Sequence, residues 1–170
     1  MQKLPIGIAV FRDIREGNYI YIDKTKYAYE LITNYKYTFL SRPRRFGKSL
    51  FLDTLQEIFE GNKKLFKGLY IYDKWDWNKK YPVIKISFSG DLRSSEKLKN
   101  RINDILIQNQ KRLEIECEKI EEYDSCFEEL IRETYHKHNK KVVILIDEYD
   151  KAILDNLDQM KIAHENREIL

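Results

Sequence analysis

Proline is scarce, with three residues in 170, and glycine numbers only six; the chain is therefore neither disordered nor of low complexity. Cysteine is limited to Cys117 and Cys126, too few for a disulfide framework and without metal-ligand spacing, so both are expected as free thiols in a reducing compartment. Three histidines are present. His136 and His138 sit two apart beside Lys137, which suits the negative end of a helix better than a metal, and His164 has no partner in sequence. No apolar run is long enough to cross a bilayer, and Met1-Gln2-Lys3-Leu4-Pro5 is not a secretion signal, so no membrane partner and a cytoplasmic location are expected. There is no internal repeat.

What is present is a chain 42% hydrophobic and 35% charged, enough for one globular domain with a core. Its net charge of +3 is unevenly spread. Residues 1–50 hold ten basic side chains against four acidic, and residues 101–150 hold eight against thirteen. Such asymmetry fits either a nucleic-acid face or a phosphate site opposed by metal-binding acids.

The stretch Tyr37–Leu52 gives that asymmetry a chemical meaning. It reads as a short apolar strand ending at Phe39 and Leu40, a basic loop, and an amphipathic helix carrying Leu50, Phe51, Leu55, Ile58 and Phe59 on one stripe. Between them stands Gly47-Lys48-Ser49. A glycine lets backbone approach a phosphate, a lysine reaches the terminal phosphates, and a hydroxyl completes a magnesium shell. The following helix directs unpaired N–H groups and its positive dipole end at the same anion. The pattern GxxxxGK[ST] asks for glycine where Arg42 stands, so the match over Arg42–Ser49 is partial.

A second stretch, Val142–Asp150, is a continuous β-branched and aliphatic run ending in acids, as in a strand buried on both faces of a parallel sheet. Functional groups lie at the carboxyl ends of such strands. Asp147 is thereby a metal ligand and Glu148 the group that orients and deprotonates water; the competing reading is that both cap the next helix.

Other segments supply scaffold. Tyr19–Ile22 reads as a short strand and Asp23 as the N-cap of a helix over Lys24–Thr33. The helix from Lys48 should stop at Gly61-Asn62. Trp75 and Trp77 cover a core edge rather than stack on a base. Val83–Phe88 is a strand, a helix runs from about Glu96 past Ile102, Ile105, Leu106 and Leu113, and a second, capped by Asp124 or Ser125, carries Phe127, Leu130, Ile131 and Tyr135. The order predicts an α/β fold with a parallel sheet.

These blocks also carry a family resemblance. Ile6–Ile14, Tyr19–Thr25 (YIYIDKT), Phe39–Ser49 (FLSRPRRFGKS), Glu60–Ile71, Tyr81–Ser89 (YPVIKISFS) and Leu145–Leu154 (LIDEYDKAIL) together resemble the bacterial AAA-ATPase-like P-loop family across almost the whole chain. In that family RPRR commonly precedes FGKS, so Arg42 is its own variant of the motif. The resemblance implies a three-layer P-loop NTPase domain of the additional-strand, catalytic-glutamate type, often followed by a PD-(D/E)XK nuclease-like domain. It implies ATP and Mg²⁺ as ligands, with Arg44, Arg45, Phe46, Gly47, Lys48 and Ser49 on the phosphates, Ser49 and Asp147 on the metal, and Lys48 and Glu148 in catalysis. It further implies an extra strand that arrives after Leu170, so residues 1–170 are expected to be the N-terminal part of one domain with an incomplete sheet.

The leading expectation is Mg²⁺-dependent ATP hydrolysis. The alternatives are a nucleic-acid-binding module that sets Arg42, Arg44, Arg45 and Lys48 on backbone phosphates, and a nucleotide-binding regulator without turnover. Nucleic acid as a partner of a longer protein and a homo-oligomer both stay open.

Overall fold

The computed structural model describes residues 2–41, 43, 46–118 and 122–170. Its contacts divide the chain into two compact units, one up to Tyr81 and one from Pro82 to Leu170.

The first unit is helical. Helix α1 spans Phe11–Glu16, α2 spans Thr25–Asn34 and α3 spans Lys48–Phe59, followed by 3₁₀ turns at Lys63–Phe66 and Tyr70–Asp73. Phe11, Ala28, Phe51, Ile58, Leu65, Phe66 and Ile71 form its core, with Trp75 and Trp77 packed against the edge as expected. Apolar burial needs polar pins to fix its geometry, and α3 supplies two. The Asp53 carboxylate accepts the Phe11 N–H at 2.7 Å, capping α1 from a distant helix. Glu57 accepts from Arg12 at 2.9 Å and from Asn62 at 2.6 Å. Helix α3 ends as predicted: Gly61 has φ +79°, the Asn62 N–H reaches the Glu57 carbonyl and the Gly61 N–H that of Ile58, the paired bonds of a Schellman cap.

Burial raises the Glu57 pKa above its ordinary 4.5, helped by Glu60 and Asp53 and opposed by the Asn62 hydrogen bond and Arg12. Below pH 4.5 the group is protonated folded and unfolded, and it adds no pH dependence. As pH rises from there through the raised folded pKa, the folded state must ionise a buried carboxyl and stability falls. Denaturant titrations across that window should show a declining limb in the wild type that is absent in Glu57→Gln; parallel profiles would refute the assignment.

In the second unit β1 (Val83–Ser87) pairs parallel with β2 (Val143–Asp147), with Lys85 opposite Leu145 and Ser87 opposite Asp147. Helices α4 (Ser95–Leu113) and α5 (Tyr123–His138) lie between them in sequence, and α6 (Lys151–Leu154) and α7 (Met160–Ile169) follow. Ile84, Leu106, Leu113, Ile115, Cys126 and Leu130 form one apolar cluster; Phe88, Leu92, Leu98, Ile105 and Ala152 form another. The mixture of helix with a parallel strand pair is an α/β arrangement.

The two edges of this sheet are treated differently. On the outer edge of β1, Asn109 of α4 accepts the Lys85 N–H at 3.0 Å and donates to the Lys85 carbonyl at 2.8 Å, as a neighbouring strand would. Arg101 donates to the Ser87 carbonyl and Arg112 to that of Val83. On β2, Val143 and Asp147 bond toward β1. By the alternation of a strand, Ile144 and Ile146 turn their backbone groups the other way, and both side chains are exposed.

Several expectations are corrected. Val142–Asp150 is not buried on both faces: of β2 only Leu145 is buried, and Ile144 and Ile146 on its other face are exposed because among the described residues no layer packs over them. The strand expected before Gly47 is irregular, with Phe39 70% exposed, because among the described residues no partner strand supplies a ladder. Tyr19–Ile22 shrinks to a single parallel bridge, Lys3 to Tyr19. Lys24, not Asp23, is the N-cap of α2. Asp23 binds the Thr25 N–H and hydroxyl with one oxygen and the Tyr70 N–H with the other, tying the helix start to the 3₁₀ turn. Glu122 rather than Asp124 or Ser125 is the N-cap of α5. Cys117 and Cys126 are not free thiols. They form a disulfide, because the turn after α4 and the first turn of α5 bring their Cα atoms to 5.3 Å, inside bonding range.

Candidate functional site

The phosphate-loop residues lie in the first unit. Gly47 has φ +74°, a left-handed conformation that a side chain disfavours, and it is the N-cap of α3. Its carbonyl accepts the Phe51 N–H at 3.0 Å, closing the first helical turn. Among the described residues no side chain caps this end, so the N–H groups of the first turn face outward with the positive end of a twelve-residue helix dipole behind them. Lys48 and Ser49 occupy that turn, half-buried. Arg42, Arg44 and Arg45 lie outside the described residues.

Phe46, Gly47 and Lys48 line an open cleft of about 330 Å³ together with residues of α2. Lys24, at the start of α2, places its ammonium 3.9 Å from where a Cβ on Gly47 would stand. Two lysines thus share the glycine end of one cleft. Sequence reasoning missed Lys24 as a site residue. The available signal is the DKT of the YIYIDKT block, where Lys24 follows Asp23 at the helix start.

The acids lie in the second unit. Asp147 ends β2, half-buried, with its carbonyl accepting the Phe88 N–H at 3.1 Å. Glu148 follows, exposed, at φ +55°, a conformation uncommon for a residue with a side chain. Among the described residues neither carboxylate makes a hydrogen bond or ion pair, and no side chain caps α6, so the helix-capping alternative does not describe them. The Glu148 carbonyl, not its carboxylate, accepts from Lys151. Left-handed backbone just after the strand turns the chain sharply and leaves the Glu148 side chain exposed, a form of strain that recurs at functional sites.

Among the described residues no group of three or more His, Cys, Asp or Glu could hold a metal unaided. Mg²⁺ takes one or two protein oxygens and completes its octahedron with phosphate and water. The Ser49 hydroxyl in the first unit and the Asp147 carboxylate in the second are each hard oxygen donors.

A family profile described as Predicted AAA-ATPase matches residues 5–170. The chain belongs to that family. It is also 50% identical over 169 residues to an uncharacterized protein in the vnfD 5' region of Azotobacter chroococcum mcd 1, covering 98% of this chain and 33% of the relative. The chain therefore spans about a third of that relative's length. No solved structure matches. Membership of this Predicted AAA-ATPase family is consistent with ATP binding. No described helix is long and apolar enough to cross a membrane.

Proposed function

We propose that the chain binds ATP with Mg²⁺ and takes part in its hydrolysis, with Arg42–Ser49 as the phosphate loop and Val142–Glu148 as the acid-bearing strand, residues 1–170 being part of one P-loop domain. The observation that carries this reading is the start of α3, where a left-handed Gly47 leaves the helix N–H groups uncapped with Lys48 and Ser49 in the same turn. Backbone amides there donate to phosphate oxygens, and Lys48 sets its charge against the terminal phosphates. Arg44, Arg45 and Phe46 complete the loop around the phosphates. Ser49 and Asp147 would hold magnesium, which would supply neutralisation of phosphate charge. Glu148 orients the attacking water and accepts its proton.

The family supports this reading for ATP, and the uncommitted Asp147 and Glu148 carboxylates support it for the metal and the water. Titration of ATP with Mg²⁺ into the wild type and Lys48→Ala tests it. A charge-assisted contact of this kind contributes about 1.5–3 kcal/mol, so the variant should bind roughly ten- to a hundredfold more weakly. Equal affinities would reject the phosphate site.

A further inference from the structure

The disulfide between Cys117 and Cys126 joins two segments that other bonds already hold together. Just past α4, the Gln110 side-chain oxygen accepts the Cys117 N–H at 2.9 Å, and Glu129 of α5 accepts the Glu118 N–H at 3.0 Å. The Lys137 ammonium, also on α5, donates to the carbonyls of Leu113 and Glu114 at 2.9 and 3.0 Å. Ile115 is buried in the same apolar cluster as Cys126. None of these contacts uses sulfur, so the stretch from Leu113 to Glu118 keeps its place on α5 whether the bond is closed or open.

Each sulfur also has a partner suited to the reduced form. Cys117 Sγ lies 3.2 Å from the Cys126 carbonyl, which can accept a thiol proton. Gln110 Nε2 donates to Cys126 Sγ at 3.7 Å. Opening the bond therefore leaves neither sulfur as a buried polar group without a partner, the usual penalty of such a change. The two sulfurs differ in access: Cys126 is fully buried, whereas Cys117 is half-buried. An incoming thiolate meets the bond at Cys117. Gln110, which touches both cysteines, stands between Asn109 and Arg112 near the end of α4, and those two side chains bond the outer edge of β1 at Lys85 and Val83.

We propose that Cys117 and Cys126 form a reversible thiol–disulfide site that exchanges with a low-molecular-weight thiol, and that its closure clamps the end of α4 that holds β1. The small thiolate attacks Cys117 Sγ, the protein S–S bond breaks, and Cys126 leaves as a thiolate that takes a proton from water. A second small thiolate attacks the outer sulfur of the mixed disulfide, and Cys117 leaves in turn. One protein disulfide and two small thiols thus give two protein thiols and one small disulfide. In the reverse direction the small disulfide is the oxidant.

The test equilibrates the whole chain in buffers of reduced and oxidised glutathione at varied ratio, alkylates free thiols and counts them by intact mass. Excess oxidised glutathione should leave no cysteine to alkylate and excess reduced glutathione should leave both, through one reversible transition. With the fold retained by circular dichroism, reduction should lower the thermal midpoint by roughly 5–15 °C, the effect of opening a short disulfide loop. It should also speed amide exchange at Lys85, whose N–H bonds Asn109, by at least about tenfold. In single variants, glutathione should add to Cys117 of Cys126→Ala at least about tenfold faster than to Cys126 of Cys117→Ala. A bond that survives about a hundredfold excess of reduced glutathione is a fixed structural link, and thiols that persist in oxidised glutathione form no pair; either result overturns the site. Equal Lys85 exchange in the two states overturns the clamp, and equal rates of addition overturn Cys117 as the sulfur attacked.

Discussion

Glu148→Gln is expected to bind ATP within about threefold of the wild type and to release phosphate more slowly by a factor on the order of 10²–10⁴, the usual contribution of a positioned general base. The amide keeps the size of the carboxylate and its capacity to hold a water, but it cannot take a proton at neutral pH. Glu148 is suited to such an isosteric test because its carboxylate makes no described hydrogen bond or ion pair, so the change disturbs no packing or salt bridge. Its left-handed backbone is unaffected, glutamine being no worse than glutamate at φ +55°. Asp147→Asn, one residue earlier and half-buried at the strand end, should act differently, raising the Mg²⁺ concentration needed for half-maximal binding. Steady-state phosphate release together with ATP titration separates the two roles. Unchanged turnover in Glu148→Gln would remove that residue from the chemistry, and a wild type that releases no phosphate would reduce the proposal to binding alone.

The parts of this molecule that were legible in the sequence are those whose cause is local. Gly47 had to be a glycine because the start of α3 needs a positive φ there, and Gly61-Asn62 stops the same helix by bonds that span only a few residues. Ile102, Ile105, Leu106 and Leu113 announced α4 through their spacing alone. What escaped has its cause elsewhere in the chain. Tyr37–Leu40 has the composition of a strand, but a strand is a property of pairs, and no described neighbour offers it an edge. Cys117 and Cys126 lacked any recognisable spacing, and their bond depends on how a nine-residue separation folds back onto α5. In α2 the sequence marks a helix start at Asp23, and nothing in it marks Tyr27, Leu31 and Tyr35 as lining a cleft. The candidate site divides along the same line. Its motif residues were legible, whereas Lys24 beside Gly47 emerges only when the start of α2 meets the start of α3.

Asn109 is the clearest case of a residue whose importance comes wholly from tertiary structure, and its loss should be the most costly in the second unit. In a helix sequence it looks like one more polar residue, yet it is buried and gives a strand-like pair of hydrogen bonds to Lys85, 24 residues away. Its amide also donates to the Ile105 carbonyl at 2.8 Å, which fixes the rotamer, and its oxygen accepts from Arg112 at 3.1 Å. Replacing it by leucine keeps the volume but takes away the partners of one backbone donor and one acceptor at the covered edge of β1. Each such loss costs about 1–3 kcal/mol, so Asn109→Leu should destabilise the protein by about 2–6 kcal/mol, against a total of roughly 5–15 kcal/mol for a typical domain. Arg101→Ala on the same edge should cost only about 1 kcal/mol, since the Ser87 carbonyl it releases is half-exposed and can turn to water. Urea denaturation followed by circular dichroism would measure both. If the two variants cost the same, Asn109 is an ordinary helix residue and the edge of β1 is held by its arginines; if the leucine variant is the weaker by several kcal/mol, one amide stands in for a missing strand and closes the sheet on that side, leaving β2 as the edge where further pairing can occur.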